Sequence, residues 1–359
     1  MTEPAKWQLE VLQVRRAGED YAWIHLAAPA EWQSRPGQFV NVLCSDEQPA
    51  ESFRVLDDGE DGGAPATGPD GRAPTEDAVL DDRDGPGAPG WPQARGGEIR
   101  AGLPFVRRPV SISYVAPRPG AGQELVLLVR MVGPGSRWVG QRRPGQRLDL
   151  VGPLGNGFDL GEAGQRCFLV GGGCGIAPLV GAARELVAAR KQAIIFYGCS
   201  GATNIPLTLP KGRKPAANAP DSIEGVAEMP EAPLVIATED GSLGVKGLVT
   251  DAMNAYASPG GWRGVSIFAC GPDAMMAAVA EVARTHNVRC CQVSLENYMG
   301  CGVGVCLSCA AKVRAASGSS GPVAGAPGQG WTYKLACRDG PVFEAADVVF
   351  EGQWEGCKR

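Results

Sequence analysis

The chain has 359 residues, which is enough for two or three domains that each bury a core. Its 34 basic and 39 acidic side chains give a formal net charge of -5, which argues against a surface that binds nucleic acid or an anionic membrane. It contains no run of 18 apolar residues, and its N-terminus resembles neither a signal peptide nor a transit peptide. We therefore expect a cytoplasmic protein that does not enter the membrane.

The first part of the chain, residues 1–160, predicts an antiparallel β-barrel. Short segments in which apolar and polar residues alternate indicate half-buried strands, and they lie at 7–14, 21–28, 36–44, 107–115, 124–132 and 147–155. Residues 57–97 interrupt this pattern and are rich in Gly, Pro and Asp. Such a composition buries too little apolar surface to fold, so we predict a disordered insertion that is dispensable for cofactor binding.

The second part, residues 161–292, predicts a doubly wound α/β domain. Buried strands alternate with segments of helical periodicity, the pattern of a parallel sheet with helices on both faces. The strands are expected at 167–173, 193–198, 232–238, 265–271 and 288–296, and the helices at 176–191, 247–257 and 273–285. Residues 293–359 then form a small third domain, and low-complexity loops occupy 208–228 and 315–330. The predicted fold class is α+β multidomain.

Four cysteines in the third part predict a metal centre. Cys301, Cys306 and Cys309 have the spacing C-x4-C-x2-C, and Cys337 follows after a gap. This is the plant-type [2Fe–2S] pattern, in which one tight loop supplies three thiolates and a distant segment supplies the fourth. A structural zinc site is the alternative, but zinc loops usually pair their cysteines as C-x2-C knuckles.

A glycine turn between a strand and a helix predicts dinucleotide binding. The segment LVGGGCGIAPL, at 169–179, could cradle a pyrophosphate with its N–H groups, although a plain tight turn is the alternative. No acidic residue ends the following strand, AIIFYGCS, so the sequence does not distinguish NAD from NADP. Cys270 ends a later strand, where its thiol would touch a nicotinamide ring or serve as a small buried residue.

Two segments of the barrel region are candidates for binding a diphosphate. RRPVSIS, at 107–113, places an arginine and two hydroxyl groups on one strand, and arginine donates in pairs to phosphate oxygens. An ordinary half-buried strand explains this segment equally well. GPGS, at 133–136, is either an anion-binding turn or a plain hairpin.

The order of these motifs resembles the ferredoxin-reductase superfamily of flavoproteins. Within it, the chain is similar to the electron transfer subunits of class 1B dihydroorotate dehydrogenases, and the similarity covers nearly all of the chain outside the three low-complexity segments. The segments that carry the closest similarity are ATEDGSLGVKGLVTD at 237–251, SLENYMGCGVGVCLSC at 294–309 and CRDGPVF at 337–343.

This resemblance implies three cofactors and their residues. FAD would be bound by Arg108, Pro109, Val110, Ser111, Leu128, Val129, Arg130, Gly135 and Ser136. NAD would be bound by Gly171, Gly172, Gly173, Gly175 and Pro178, with Cys270 at the nicotinamide. The cluster would be ligated by Cys301, Cys306, Cys309 and Cys337. The chain itself would contribute no catalytic acid or base.

The resemblance also implies a partner and a reaction. An FMN-containing catalytic subunit would oxidise dihydroorotate in pyrimidine biosynthesis, and electrons would pass through the cluster and FAD to NAD⁺. The partner would dock over residues 299–309, in a complex of two copies of each chain. The alternatives are the nucleotide-binding subunit of a sulfhydrogenase or of a ferredoxin:NADP⁺ transhydrogenase, and a non-enzymatic iron–sulfur redox sensor.

Overall fold

The computed structural model describes residues 4–44, 107–118, 120, 122–210, 221–257, 261–314 and 330–350, all within one compact unit. The predicted insertion at 57–97 lies outside the described residues. So do residues 211–220 and 315–329 of the two other predicted loops. No helix in the described part of the chain is long and apolar enough to cross a membrane.

The predicted barrel is confirmed as a closed sheet of six antiparallel strands in the order β1-β2-β5-β4-β3-β6. Its strands are β1 (Ala5–Ala17), β2 (Tyr21–Ala28), β3 (Phe39–Val42), β4 (Arg108–Pro117), β5 (Gln123–Arg130) and β6 (Arg147–Leu154). Alternate apolar side chains such as Ile24, Val40 and Leu127 fill its interior, as a period of two requires. The GPGS segment is neither of the predicted turns but starts a short helix, α1 (Pro134–Gly140).

The predicted doubly wound domain is also confirmed. Its strands are β7 (Arg166–Gly172), β8 (Gln192–Cys199), β9 (Ser222–Ile223), β10 (Leu234–Thr238), β11 (Val245–Lys246), β12 (Val265–Cys270) and β13 (Cys290–Ser294). Helix α2 (Ile176–Ala188) packs on the face of Leu169 and Ile195, and helices α3 (Val249–Ala257) and α4 (Asp273–Thr285) pack on the face of Phe168 and Phe196. Because strand side chains alternate, one sheet presents an apolar surface to helices on each side.

The C-terminal segment contributes to two sheets. Strands β14 (Ala310–Arg314) and β15 (Trp331–Leu335) form a separate antiparallel pair. Strand β16 (Val342–Glu344) instead pairs antiparallel with β13, which gives the large sheet the order β11-β10-β8-β7-β12-β13-β16. The segment that carries the fourth cysteine is thus tied to the sheet of the preceding domain. The domain boundaries at 160 and 292 stay predictions.

The barrel and the α/β sheet meet through α2 and β4. The Ser113 hydroxyl donates to the carbonyl oxygen of Ala177, 2.9 Å away. Farther along the same boundary, the Trp23 indole nitrogen donates to the carbonyl oxygen of Pro206 at 2.7 Å. These contacts fix the strand that carries the RRPVSIS motif against the helix that follows the glycine turn.

Candidate functional site

The loop with the three closely spaced cysteines folds around one sulfur atom. The backbone N–H groups of Val303, Val305 and Cys306 point at the Sγ of Cys301 from 3.4, 3.3 and 3.3 Å. The loop can turn this tightly because Gly302 and Gly304 have φ values of 72° and 85°. Burial works to raise the pKa of Cys301, but these N–H groups outweigh it and lower the pKa.

The second cysteine of the loop is also favoured as a thiolate. The hydroxyl of Ser308 lies 3.2 Å from the Sγ of Cys306, and the N–H of Cys301 donates to the same sulfur at 3.3 Å. The Ser308 hydrogen bond and then the Cys301 N–H lower the pKa of Cys306 to about 6. A thiolate is the form that ligates metal.

The other two cysteines form a buried pair. Cys309 and Cys337 are each 2% exposed and pack against Phe39 of β3 and Leu335 of β15. Burial, and next the side chain of Cys309, raise the pKa of Cys337 to about 12. No three metal-binding side chains of the described residues surround a single point. A two-iron cluster does not require that, because each iron takes two of the four thiolates. The observed pairs, Cys301 with Cys306 and Cys309 with Cys337, fit such a cluster.

The residues predicted to hold FAD lie together at one end of the barrel. Strands β4 and β5 are neighbours, with Ile112 opposite Leu127, so the segments 108–111 and 128–130 lie side by side. Gly135 and Ser136 follow in α1, which packs on β5. Leu128 and Val129 are buried, and the guanidinium of Arg130 lies 5.7 Å from the ring centre of Tyr21.

The two arginines of the RRPVSIS segment have different surroundings. Arg107 is paired with the carboxylate of Asp149 and donates to the carbonyl oxygens of Asn41 and Asp149, each at 3.2 Å. Arg108 is exposed, and neither its guanidinium nor the hydroxyl of Ser111 has a hydrogen-bond partner among the described residues. Free donors on one strand fit a ligand that carries a diphosphate.

A cavity of about 360 Å³ opens where the barrel meets the carboxyl ends of the sheet strands. Tyr21 and Arg130 line it from the barrel, and Gly172 and Gly173 line it from the glycine turn. The carboxyl edge of a doubly wound sheet is where such folds bind dinucleotides. Of the other residues predicted to bind NAD, Gly171, Gly175, Pro178 and Cys270 do not line the cavity.

Gly175 and Cys270 lie directly against each other behind the cavity. A Cβ at Gly175 would fall 2.1 Å from the carbonyl oxygen of Cys270, so only glycine allows the turn and the end of β12 to approach this closely. The Cys270 thiol is 3% exposed, and burial raises its pKa well above the ordinary value. It therefore remains a protonated thiol.

Sequence reasoning missed Glu296, which follows β13. Its Oε1 atom lies 4.0 Å from the Sγ of Cys270. Glu296 keeps contact with solvent, but the protein packed around its carboxyl group displaces part of the water. This burial, together with the carboxylate of Asp273, raises the pKa of Glu296 to about 7. A perturbed carboxyl group beside the end of a ligand-binding sheet is typical of functional sites. In the sequence, the only indication of a role for Glu296 is its position five residues before Cys301.

Sequence reasoning also missed Glu239, an exposed residue that lines the cavity directly after β10. Its carboxylate has no hydrogen-bond or ion-pair partner among the described residues. The neighbouring Asp240 instead accepts from the N–H and hydroxyl of Ser242, at 2.9 and 2.6 Å. The strand that follows the glycine turn in the sequence, β8, ends without an acidic residue. Its neighbour in the sheet, β10, has Glu239 directly after its end.

Two protein families match parts of the chain. Residues 296–349 match the iron–sulfur cluster binding domain of dihydroorotate dehydrogenase B. Residues 169–281 match the oxidoreductase NAD-binding domain. The first of these segments contains the four cysteines. The second contains the glycine turn, Glu239 and Cys270.

Curated relatives are identical to this chain at about a third of the aligned positions. The dihydroorotate dehydrogenase B (NAD(+)) electron transfer subunit of Desulforamulus reducens is 36% identical over 249 residues, which is 69% of this chain and 82% of the relative. The subunit of the same name from Caldanaerobacter subterraneus subsp. tengcongensis is 34% identical over 249 residues, 69% and 83% of the two chains. A solved structure of an NADH-dependent reduced ferredoxin-NADP oxidoreductase superposes with a TM-score of 0.60 at 22% identity, covering 96% of this chain and 90% of that one, and it shows the shared fold alone.

Proposed function

Because the chain belongs to the family of dihydroorotate dehydrogenase B (NAD(+)) electron transfer subunits, we propose that it passes electrons from a catalytic partner subunit to NAD⁺ in pyrimidine biosynthesis. The observation that carries this proposal is the loop around Cys301. Its three N–H groups directed at one sulfur, together with the buried pair Cys309 and Cys337, fit the cluster that the family's name requires. The protein would work in the cytoplasm.

The four cysteines would hold the [2Fe–2S] cluster, in the two pairs described above. The N–H groups around Cys301 neutralise part of the negative charge on its sulfur, as hydrogen bonds to cluster sulfurs do. Cys309 and Cys337 exclude water from the opposite side, because both are buried against β3. The cluster would thus have one face near solvent and one face in the protein.

The barrel residues would hold FAD. Arg108 would donate to the diphosphate, Ser111 would face the isoalloxazine ring, and Pro109 and Val110 would line the site between them. Leu128, Val129 and Arg130 on the adjacent strand, with Gly135 and Ser136, would complete it. When bound, FAD exchanges a hydride with the nicotinamide and single electrons with the cluster, which links the two kinds of carrier.

The cavity would receive NAD. Gly172 and Gly173 would present backbone to the pyrophosphate from the cavity wall. Gly171, Gly175 and Pro178 would support them from the turn and helix behind the wall, with Cys270 at the end of β12 near the nicotinamide. Beyond the glycine turn, β8 and β10 each add about 4.8 Å across the sheet, so the adenosine ribose would reach the end of β10. Glu239 at that end would accept hydrogen bonds from the ribose 2′-hydroxyl and repel a 2′-phosphate.

The cluster loop would also be the docking surface for the catalytic subunit. Tyr298, Val303, Val305 and Leu307 are 93%, 49%, 77% and 50% exposed, so apolar side chains face solvent around the proposed cluster. Exposed apolar side chains grouped in this way mark interaction sites. We propose an FMN-containing partner and a complex with two copies of each chain.

Co-expression tests this function. The chain alone should reduce dyes with NADH without oxidising dihydroorotate, and the complex with the catalytic partner subunit should form orotate with NAD⁺ as acceptor. Replacement of Val305 with Asp should weaken the complex without loss of dye reduction, and replacement of the exposed Val132 with Asp is the matched control. If the complex forms but NAD⁺ accepts no electrons from dihydroorotate, the proposal is wrong.

A further inference from the structure

Strand β3 lies between the strand proposed to hold FAD and the cluster loop. In the barrel, Phe39 and Asn41 of β3 are opposite Ser111 and Pro109 of β4. Val40 and Val42 point into the barrel core, so Phe39 and Asn41 point to its outside. There, Phe39 packs with Cys309 and Cys337, as noted above, and Asn41 contacts the loop that carries the first ligand.

Asn41 is hydrogen-bonded to the backbone of Cys301, a proposed cluster ligand. Its Nδ2 donates to the carbonyl oxygen of Cys301, 2.8 Å away, and the side chain is 1% exposed. The loop is packed directly on this amide, because a Cβ at Gly302 would fall 2.0 Å from the same nitrogen. Arg107 donates to the backbone carbonyl oxygen of Asn41 and also pairs with the carboxylate of Asp149. This links β3 at Asn41 to Asp149 of β6.

The buried amide of Asn41 leaves one of its polar atoms without a hydrogen bond from the described residues. The Oδ1 of Asn41 is buried without a hydrogen-bond partner among the described residues. An apolar side chain would carry no such penalty, and the other residues of β3 are all apolar and buried. The residue with the unsatisfied buried oxygen is thus the same residue whose NH₂ group donates to Cys301.

We propose that Asn41 is a positioning residue for the iron–sulfur cluster, which holds the Cys301 ligand on β3 and raises the cluster's reduction potential. This inference rests on the proposed function in one respect, that Cys301 is a cluster ligand. The hydrogen bond holds the Cys301 backbone in place, and with it the loop whose N–H groups point at the Cys301 sulfur. Hydrogen bonds to that sulfur favour the more negative, reduced cluster. Removal of the donor should therefore shift the potential to a more negative value.

Two variants of the full chain separate the hydrogen bond from packing. Asn41→Leu keeps the branched shape and the number of heavy atoms and removes the donor. Asn41→Asp keeps the shape and places a carboxylate against the Cys301 carbonyl. Gln38→Leu is the matched control, because the Gln38 amide donates to the carbonyl oxygen of Gly155 at 2.7 Å, next to β3 and with no bond to the cluster loop. Should Asn41→Leu fail to accumulate, Asn41→Ser replaces it.

The readouts are iron content, the electron paramagnetic resonance spectrum of the reduced cluster, and its potential from a redox titration. We expect the potential to fall in the order wild type, Asn41→Leu, Asn41→Asp, with altered g values and unchanged FAD content, while Gln38→Leu matches wild type. Loss of iron from both Asn41 variants, with FAD retained, supports the same role. Unchanged spectra and potentials at full iron content overturn it, as does an equal shift in Gln38→Leu. A wild-type chain without a [2Fe–2S] spectrum would instead refute the proposed function.

Discussion

Gly181 of α2 and Ser113 of β4 touch through their backbones: a Cβ at Gly181 would fall 2.3 Å from the carbonyl oxygen of Ser113. One residue belongs to the helix after the glycine turn and the other to the strand proposed to hold FAD. This contact sets the distance between the two elements. The relative placement of flavin and nicotinamide would therefore depend on the absence of one methyl group.

Replacement of Gly181 with Ala should destabilise the protein. In an unhindered helix this change would stabilise by about 1 kcal/mol, but here the new Cβ meets a carbonyl oxygen that no side-chain rotation can move. We expect the free energy of unfolding to fall by about 1–3 kcal/mol, as for an overpacked core. The thermal midpoint of the FAD-loaded protein measures it. Glu185→Ala, at an exposed position of the same helix, should change the midpoint little. An unchanged midpoint in Gly181→Ala would mean that α2 and β4 separate without cost.

Replacement of Cys306 with Ala should remove the cluster and leave the flavin. The thiolate of Cys306 is one of four proposed ligands, and a [2Fe–2S] cluster requires all four. Iron analysis and the visible spectrum would show loss of the cluster, with FAD still released on heating. Cys290→Ala is the control, because Cys290 begins β13 away from the loop. Full iron content in Cys306→Ala would exclude this ligand set.

Replacement of Arg108 with Ala should weaken FAD binding. A hydrogen bond from a charged donor contributes about 1.5–3 kcal/mol, equivalent to a roughly 10- to 150-fold rise in the dissociation constant. Fluorescence titration of the deflavinated protein with FAD measures this change. Arg147→Ala, at an exposed position at the start of β6, should bind FAD like wild type. Extraction of FMN instead of FAD from the wild-type protein would contradict the proposed flavin.

Replacement of Glu239 with Gln should reduce the preference for NAD over NADP. The neutral amide no longer repels a 2′-phosphate and accepts a weaker hydrogen bond, so we expect about tenfold weaker NADH binding and tighter NADPH binding. Dissociation constants from calorimetry and KM values with a dye acceptor both test this. Glu231→Gln is the matched control, because Glu231 precedes β10 at the opposite edge of the sheet. Equal affinity of wild type for both nucleotides would show that Glu239 does not select.

Replacement of Glu296 with Gln should make the protein more stable than wild type as the pH rises. The native carboxyl keeps its proton to about pH 7, whereas an unfolded one releases it near 4.5. Between these values the folded chain binds more protons, so the stability of wild type falls with rising pH. Gln cannot ionise. The thermal midpoints should therefore separate from about pH 4.5 to 7, by roughly 1 kcal/mol because solvent screens this exposed residue. Parallel curves would show an ordinary carboxyl group.

Much of the fold follows from local patterns in the sequence. The alternation of apolar residues predicts the barrel strands, and the switch to helical spacing after residue 161 predicts the doubly wound sheet, because each pattern matches the period of the element that it forms. The spacing of Cys301, Cys306 and Cys309 likewise predicts one tight loop, since its ligands lie within nine residues. The structure of the GPGS segment at 133–136 does not follow from its sequence in the same way. A proline and two glycines suit a turn between strands as well as the first turn of α1.

The tertiary structure alone decided which distant residues meet. Asn41 and Cys301 are 260 positions apart, and no periodicity links a barrel strand to a cluster loop. Glu239 reaches the cavity only because β10 pairs with β8, and β16 joins the sheet only because β13 offers it a free edge. Local propensity determines each element, but contacts between elements depend on how their side chains pack in three dimensions. The residues that we assign to nucleotide selection and to the cluster potential therefore come from the packing and not from any motif.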